Sequence, residues 1–147
     1  MAGPARWALV GALLLAALAT PAPGRAQSSA ELARARQALE DYFACERTRR
    51  FAPCWPGLST RVRAEWARQG RGSVAEYADS RGAAEPHYAD FRVRQIRRSP
   101  ARVVFVVEAT RAADRGGPPD RVEFALLREG GQWKVDGRRV GASETTP

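Results

Sequence analysis

Residues 122–137, VEFALLREGGQWKVDG, contain the pattern that decides the fold of this chain. In the first half, apolar residues alternate with charged or small ones, at Val122, Phe124 and Leu126. The alternation resumes at Trp133 and Val135, and a period of two is typical of β-strands with one buried face. Gly130 and Gly131 between the two runs predict a tight hairpin turn, since glycine adopts a positive φ freely. The stretch therefore predicts two antiparallel strands.

Strand character extends back to Pro86. Beyond that residue apolar side chains alternate with charged ones, at Ala89, Phe91 and Val93. Ile96 is out of step with them, which predicts a bulge or the end of the strand. Residues 103–107, VVFVV, are apolar on both faces, and such a run favours a central strand that is covered on both sides. A loop rich in glycine and proline over 114–120 then leads to the hairpin, whose last strand ends near Val140.

The segment before the strands has helical character instead. Ser28 and Glu31 match a capping box, and the apolar residues that follow recur at steps of three and four. They are Leu32, Ala35, Leu39, Tyr42 and Phe43. This pattern predicts an amphipathic helix to about Cys45. Residues 46–57 contain two prolines and a glycine, and we interpret them as an irregular loop.

Two shorter helices are predicted after this loop. The first has an apolar face formed by Leu58, Val62 and Trp66, and it ends near Gly70. The second starts from a capping box of Ser73 and Glu76 and ends at Gly82. Helices thus come first and antiparallel strands after. This order predicts an α+β fold, with N-terminal helices packed on a curved antiparallel sheet of about four strands.

The N-terminus has the layout of a secretory signal peptide over residues 1–26. Arg6 provides a positive start, and residues 7–18 form an uncharged apolar run. That run is shorter than the ~20 apolar residues that span a bilayer, which argues against a membrane anchor. Small residues at Gly24 and Ala26 occupy the −3 and −1 positions of a cleavage site. The pattern predicts cleavage after Ala26 and export, either to the periplasm or out of the cell.

Two cysteines, Cys45 and Cys54, are the only ones in the chain. In an exported protein such a pair predicts a disulfide. A zinc site requires three or four ligands, and His87 is the only histidine, so no metal is predicted. No other cofactor is predicted either, because no cofactor-binding motif is present. We expect His87 itself at a solvated strand edge.

The chain is strongly basic, with a net charge of +8 that comes almost entirely from arginine. Nucleic acid is not expected as the partner of an exported protein, whereas anionic envelope polymers and lipid head groups are. Arginine binds carboxylate and phosphate bidentately. The candidate anion-binding residues are Arg47, Arg49, Arg50, Arg92 and Arg94. The alternative is a solvated surface, because acidic residues are interspersed throughout.

Residues 122–137 and the segment LSTRVR at 58–63 resemble nuclear transport factor 2-like domains, above all secreted bacterial ones of unassigned function. The resemblance covers about residues 29–140 and centres on GQWKVDG at 131–137. We assign one domain to 27–140 and predict a polar, disordered tail at 141–147. The family fold implies a cone-shaped half-barrel around a pocket, and many such sheets dimerise through their exposed face, which implies a homodimer.

Members of this family include enzymes such as ketosteroid isomerase as well as non-catalytic binding domains, so the fold alone assigns no activity. No isomerase catalytic set aligns with this chain, and none is transferred. The candidates for acid–base chemistry are Glu108, which interrupts an apolar strand, and Asp90. A carboxylate inside an apolar cone can act as acid or base. The alternative, which we favour, is a structural Glu108 paired with Arg111 or with an arginine of a neighbouring strand.

Aromatic residues are candidates for the lining of a ligand pocket, namely Trp66, Tyr77, Phe105, Phe124 and Trp133. At amphipathic spacing the same residues can form plain hydrophobic core. The predicted function is an exported, non-catalytic binding or accessory domain with a pocket for a small apolar ligand. One alternative is a small acid–base enzyme of isomerase or dehydratase type that uses a pocket carboxylate. Another is a basic envelope-associated protein that binds anionic polymers.

Overall fold

A computed structural model describes residues 24–141 and 143–145, with side chains from 29 to 141. Helices come first, and they are α1 (Gly24–Thr48), a 3₁₀ helix (Ala52–Gly57), α2 (Thr60–Arg68) and α3 (Val74–Ala83). The strands are β1 (Tyr88–Ser99), β2 (Arg102–Arg111), β3 (Asp120–Glu129), β4 (Gln132–Val140) and β5 (Ser143–Thr145). They pair antiparallel in the order β1-β2-β3-β4-β5. This arrangement confirms the predicted α+β fold.

The hairpin between β3 and β4 has the geometry that the sequence predicts. Gly130 has φ of 56° and Gly131 has φ of 78°. Two successive positive φ angles are what a two-residue turn needs to match the twist of its strands. Beyond β4, Ser143–Thr145 pair with it as β5, and they lie within the segment for which we predict disorder.

A bulge interrupts β1 where Ile96 is out of step. The register with β2 shifts between Val93 and Gln95, as the sequence predicts. The loop expected over 46–57 starts too early, because α1 continues to Thr48, and the rest of it contains a short 3₁₀ helix, Ala52–Gly57. Pro53 is compatible with that geometry because it stands in the first turn, where a backbone N–H has no helical partner.

A second bulge lies in β4. Val135 and Gly137 pair with successive residues of β3, so Asp136 between them is the extra residue. A one-residue insertion reverses which face each following side chain occupies. As a result Arg138 shares the inner face of the sheet with its partner Phe124, and a charged residue enters the core.

The hydrophobic core lies between α1 and the inner face of the sheet. Its centre is the fully buried Phe43 of α1, whose ring stacks on Phe91 at 4.0 Å between centroids and lies 5.3 Å from Phe124. Trp66 of α2 and Tyr77 of α3 extend it, with ring centroids 5.2 Å apart. Burying one side chain of this kind contributes roughly 1.5–3 kcal/mol, so these contacts fix the helices on the sheet.

Serine caps begin the two short α-helices, α2 and α3, and the capping box predicted at Ser73 is confirmed. The Ser59 hydroxyl accepts a hydrogen bond from the backbone N–H of Val62 at 3.2 Å, and Ser73 forms a capping box with Glu76. The cap expected at Ser28 is wrong. Helix α1 begins upstream and includes Ser28, so backbone amides there bond to carbonyls of the preceding turn and need no cap.

Most of the predicted signal peptide lies outside the described residues. Positions 24–26, next to the predicted cleavage site, form the beginning of α1, and residues 1–23 are not described. Among the described helices, none combines the length and the hydropathy needed to cross a bilayer. Export and cleavage after Ala26 therefore stay predictions.

Candidate functional site

An open cleft of about 730 Å³ lies between α1, the 3₁₀ helix and the start of β4. Its apolar lining includes Ala38, Tyr42, Pro53, Pro56, Trp133 and Val135. Small-molecule sites in proteins are concave, roughly 300–1,000 Å³ in volume, and mostly apolar with a few polar groups that fix orientation. The cleft has both the size and the chemistry of such a site.

The predicted disulfide between Cys45 and Cys54 is confirmed, and it forms part of the cleft wall. The two Cα atoms are 6.4 Å apart. Because Cys45 lies near the end of α1 and Cys54 lies in the 3₁₀ helix, the bond holds that short helix against α1. The 3₁₀ helix is also tied to the sheet, since Leu58 next to it forms a bridge with Val135.

The indole of Trp133 is fixed in the cleft by a hydrogen bond to α1. Its Nε1 donates to Glu31 Oε2 at 3.0 Å. The same carboxylate pairs with Arg34 at 2.8 Å and with Arg128 at 3.6 Å. Glu31 thus neutralises Arg34 at the rim and also orients the indole, so the ring is held in place as part of the wall.

Two cations at the cleft have no carboxylate within ion-pair distance among the side chains described. Lys134 Nζ donates to two uncharged oxygens, at 2.6 and 2.8 Å. Arg50 lines the cleft just beyond the end of α1. Asp41 is the one carboxylate in the described lining, and it accepts a hydrogen bond from Gln37 Nε2 at 2.9 Å. The cleft therefore has an excess of positive charge.

Beneath the cleft, three charged side chains and one imidazole meet inside the core, and they are Glu46, Arg81, Arg138 and His87. Each is at most 3% exposed. Glu46 Oε1 accepts hydrogen bonds from Arg81 Nη2 at 2.5 Å and from Arg138 Nη1 at 3.0 Å. Tyr42 lines the cleft, and its hydroxyl accepts a hydrogen bond from Arg81 Nε at 3.3 Å. This buried charge cluster joins α1, α3, the start of β1 and β4.

Aromatic rings partly replace water around the two buried guanidinium groups. Arg81 lies 4.9 Å from the centroid of Phe51, and Arg138 lies 6.0 Å from that of Tyr88. Such cation–π contacts offset part of the desolvation penalty. Burial raises the pKa of the Tyr42 phenol, so its hydroxyl stays protonated. The cluster is built as an electrostatic tie between elements, because its carboxylate is already held by both arginines.

His87 is part of this cluster, and its expected place at a solvated strand edge is wrong. The ring is 1% exposed, with Nδ1 3.3 Å from Glu46 Oε2 and Nε2 3.0 Å from the carbonyl oxygen of Gly82. Both partners are hydrogen-bond acceptors, so the ring lies between two groups to which an imidazole N–H can donate. The residue is buried because α3 and α1 both cover the entry to β1, which local sequence does not reveal.

Neither candidate acid–base residue lies at the cleft. Glu108 stands on the outer face of β2, 38% exposed, and pairs with Arg94 Nη2 of β1 at 2.6 Å. This is the pairing with a neighbouring strand that the structural alternative describes. Asp90 is exposed, and its carboxylate accepts a hydrogen bond from the next backbone N–H, that of Phe91, at 2.8 Å.

The structure brings one of the five candidate pocket aromatics to the cleft, Trp133. The other four are buried in the core and do not line it. Trp66 and Tyr77 pack on each other, while Phe105 and Phe124 lie on the inner sheet face. They form the plain core that amphipathic spacing also allows.

The candidate anion-binding arginines do not form one site. Arg47 is exposed near the end of α1, Arg49 pairs with Glu85 at 3.0 Å, and Arg50 lines the cleft. Arg92 and Arg94 lie together on the far side of the molecule, on the outer face of β1. The two groups are separated because the helix end and the outer sheet face point in different directions.

The buried charge cluster was missed by sequence reasoning, although one signal marks it. Glu46 continues the apolar spacing of α1 that includes Ala35, Leu39 and Phe43. A carboxylate at a core-facing helical position requires a buried partner. The partners themselves, on α3 and β4, are set by tertiary structure.

Comparison with protein-family models, with curated proteins and with solved structures gives no match. The resemblance to nuclear transport factor 2-like domains thus stays a prediction, and the geometry described above carries the functional argument.

Proposed function

We propose that the protein is an exported, non-catalytic binding module whose cleft holds an apolar ligand with an anionic end. One observation carries this proposal. An apolar cleft of about 730 Å³ has at its edge two cations, Arg50 and Lys134, without carboxylate partners among the described side chains. A resemblance to nuclear transport factor 2-like domains, which enclose a pocket between helices and sheet, is part of the proposal.

The lining favours a ligand with two chemically distinct ends. Burying one methylene group against walls such as Tyr42 and Trp133 contributes about 0.8 kcal/mol. An ammonium or guanidinium group at the edge binds a carboxylate by short, charge-assisted hydrogen bonds. A neutral ligand of the same length gains only the first contribution, and a cationic one is repelled.

A binding role fits the cleft better than acid–base chemistry. Proton transfer requires a base within hydrogen-bond reach of the substrate. Within the described lining the one carboxylate is Asp41. The buried Glu46 is held by two arginines below the floor of the cleft, which leaves it no free access to a ligand.

Export is the second half of the proposal. It rests on the signal-peptide pattern of residues 1–26 and on the disulfide, which persists in oxidising compartments. Mass spectrometry of the protein isolated from its own cells is expected to show an N-terminus at Gln27. A chain that keeps its first 26 residues contradicts the predicted cleavage.

The cleft is tested with a matched pair of ligands, dodecanoate and dodecanol, each below its aggregation limit. Isothermal titration calorimetry is expected to show that both bind and that the carboxylate binds tighter. The indole Nε1–H signal of Trp133 is expected to shift in ¹H–¹⁵N spectra. Absence of binding for both ligands contradicts the proposal.

Two variants and one control localise the binding. Ala44→Phe places a ring in the cleft from an exposed position of α1, and it is expected to abolish binding of both ligands. Lys134→Gln is expected to weaken dodecanoate about tenfold and to leave dodecanol unchanged. Arg115→Gln removes the same charge from the exposed β2–β3 loop, and it is expected to change neither affinity.

A further inference from the structure

The outer face of the sheet, turned away from the helices, contains a depression built by one cross-strand row. From β1 to β4 the directly paired residues of this row are Arg97, Val104, Ala125 and Gly137. Directly opposed residues share one face of a sheet. Because the side chains become smaller from Arg97 toward Gly137, which has none, the outer face is recessed toward β4.

Arginines from the neighbouring rows border this depression. Arg102 of β2 and Arg139 of β4 line it together with Arg97, around a volume of about 170 Å³. Arg138 borders it as well, but its guanidinium is held by Glu46 on the inner side. A water molecule occupies about 30 Å³ of liquid, so the space has room for about five waters or for one small tetrahedral anion.

Arginines outnumber carboxylates in the described lining of the depression. Glu123 is the one carboxylate of its described lining, and it pairs with Arg97 at 2.9 Å. Arg102 lies 3.6 Å from Asp136, whose other oxygen already accepts hydrogen bonds from Arg61 and from the cap of α2. The side chains of Arg97 and Arg102 are about half exposed, at 51% and 52%, so a solvated partner of either one can be exchanged for a ligand at low cost.

We propose that this depression binds a phosphate- or sulfate-type oxyanion, with Arg97, Arg102 and Arg139 as its ligands. The planar guanidinium donates two parallel hydrogen bonds to such a group, and the small residues of the floor allow it to approach the sheet. The site faces away from the cleft, so it is independent of the cleft ligand. An anionic envelope component with exposed phosphate groups fits this chemistry.

The test is a titration with inorganic phosphate at low ionic strength. Binding is measured by calorimetry and by the arginine Nε–Hε signals in ¹H–¹⁵N spectra. Signals of the three arginines are expected to shift together. The double variant Arg97→Gln/Arg102→Gln is expected to lower the affinity about a hundredfold, or about tenfold for each arginine. No detectable phosphate binding overturns the proposal.

Two further variants separate a site from general positive charge. Arg121→Gln removes one charge from the same sheet face outside the depression, and it is expected to leave the affinity within about twofold. Glu123→Gln removes the competing carboxylate of Arg97, and it is expected to raise the affinity. Equal weakening by Arg121→Gln and by Arg97→Gln, or weaker binding after Glu123→Gln, overturns the proposal.

The source of the oxyanion is resolved with vesicles of phosphatidylglycerol and of phosphatidylcholine. If the protein sediments with phosphatidylglycerol vesicles but not with phosphatidylcholine vesicles, and the double variant does not sediment, the oxyanion is a lipid head group. Phosphate binding without sedimentation identifies a soluble phosphate group instead, and both outcomes support the site. Sedimentation that the double variant leaves unchanged, without phosphate binding, contradicts it.

Discussion

Arginine occupies two opposite environments on the two faces of one sheet. On the inner face, Arg138 is 3% exposed and shares Glu46 with Arg81 of α3. On the outer face, Arg97 and Arg102 are about half exposed. Removing an ion from water costs several kcal/mol, so a buried arginine is retained only with its partners, whereas an exposed one loses little when its partner is exchanged. The same side chain therefore holds the fold on one face and is available to a ligand on the other.

The largest expected effect comes from breaking the inner cluster. Glu46→Gln leaves two buried arginines and His87 without their carboxylate, and it is expected to lower the free energy of unfolding by about 3–5 kcal/mol. Urea denaturation followed by circular dichroism measures the change.

The matched control removes a carboxylate from the outer face. Glu123→Gln takes the partner from Arg97, which remains solvated, and it is expected to change the stability by less than about 1 kcal/mol. Similar losses for Glu46→Gln and Glu123→Gln contradict the distinction between the two faces.

The next largest effect on stability is expected from the disulfide beside the buried charge cluster. Replacing both Cys45 and Cys54 by alanine removes a short cross-link, and it is expected to cost about 2–3 kcal/mol through the entropy of the unfolded chain. Chemical denaturation of the oxidised wild type and of the double variant gives the difference. Reduction of the wild type is expected to reproduce it, and an unchanged midpoint contradicts the role given to the bond.

A smaller, pH-dependent effect on stability is expected at Asp120, the first residue of β3. Hydrogen bonds from Arg111 at 2.8 and 3.0 Å, with one from the Tyr88 hydroxyl at 3.0 Å, lower the pKa of Asp120 below its ordinary 3.8. A carboxyl with a lowered pKa in the folded state stabilises above the unfolded pKa, and this stabilisation is lost as the pH falls through the folded pKa.

Asp120→Asn is accordingly expected to cost about 1 kcal/mol at neutral pH and nothing in strong acid. Thermal unfolding of both proteins between pH 7 and about pH 2 follows the difference. A gap between the two melting temperatures that stays constant down to the lowest pH contradicts the assignment.

The smallest effect belongs to the exposed pair Arg94–Glu108. Their side chains are 50% and 38% exposed, and Glu108→Gln is expected to change the free energy of unfolding by less than about 0.5 kcal/mol. The midpoint of a urea titration gives this value. A loss above about 2 kcal/mol contradicts the interpretation of Glu108 as a solvated structural residue.

The fold was largely predictable because its signals are local. Alternation along β1 and β3, the glycine pair of the hairpin and the capping serine of α3 each act within a few residues. The extent of α1 was less predictable, because Ser28 matches a cap in sequence but lies inside the helix. A sequence pattern indicates which structure a segment can form, and contacts with neighbouring segments determine whether that structure forms.

The candidate site was predictable only in part. The cysteine pair indicated the wall of the cleft, and Trp133 was among the candidate lining residues. The buried charge cluster beneath the cleft was not predictable, since Arg138 reaches Glu46 and Arg81 only because the bulge at Asp136 places it on the inner face of β4. Cross-strand register likewise places Arg97 near Arg139, and no spacing along the chain shows that.

The disulfide makes the completion of the cleft wall depend on oxidation of the newly made chain. The 3₁₀ helix has six residues, and its covalent attachment to α1 exists only after two thiols have passed two protons and two electrons to an oxidant. We expect a newly made, reduced chain to have a loosely held wall and to bind its ligand poorly. On the proposed function, oxidation after export completes the cleft, and the compartment in which the disulfide forms also determines when the protein can bind its ligand.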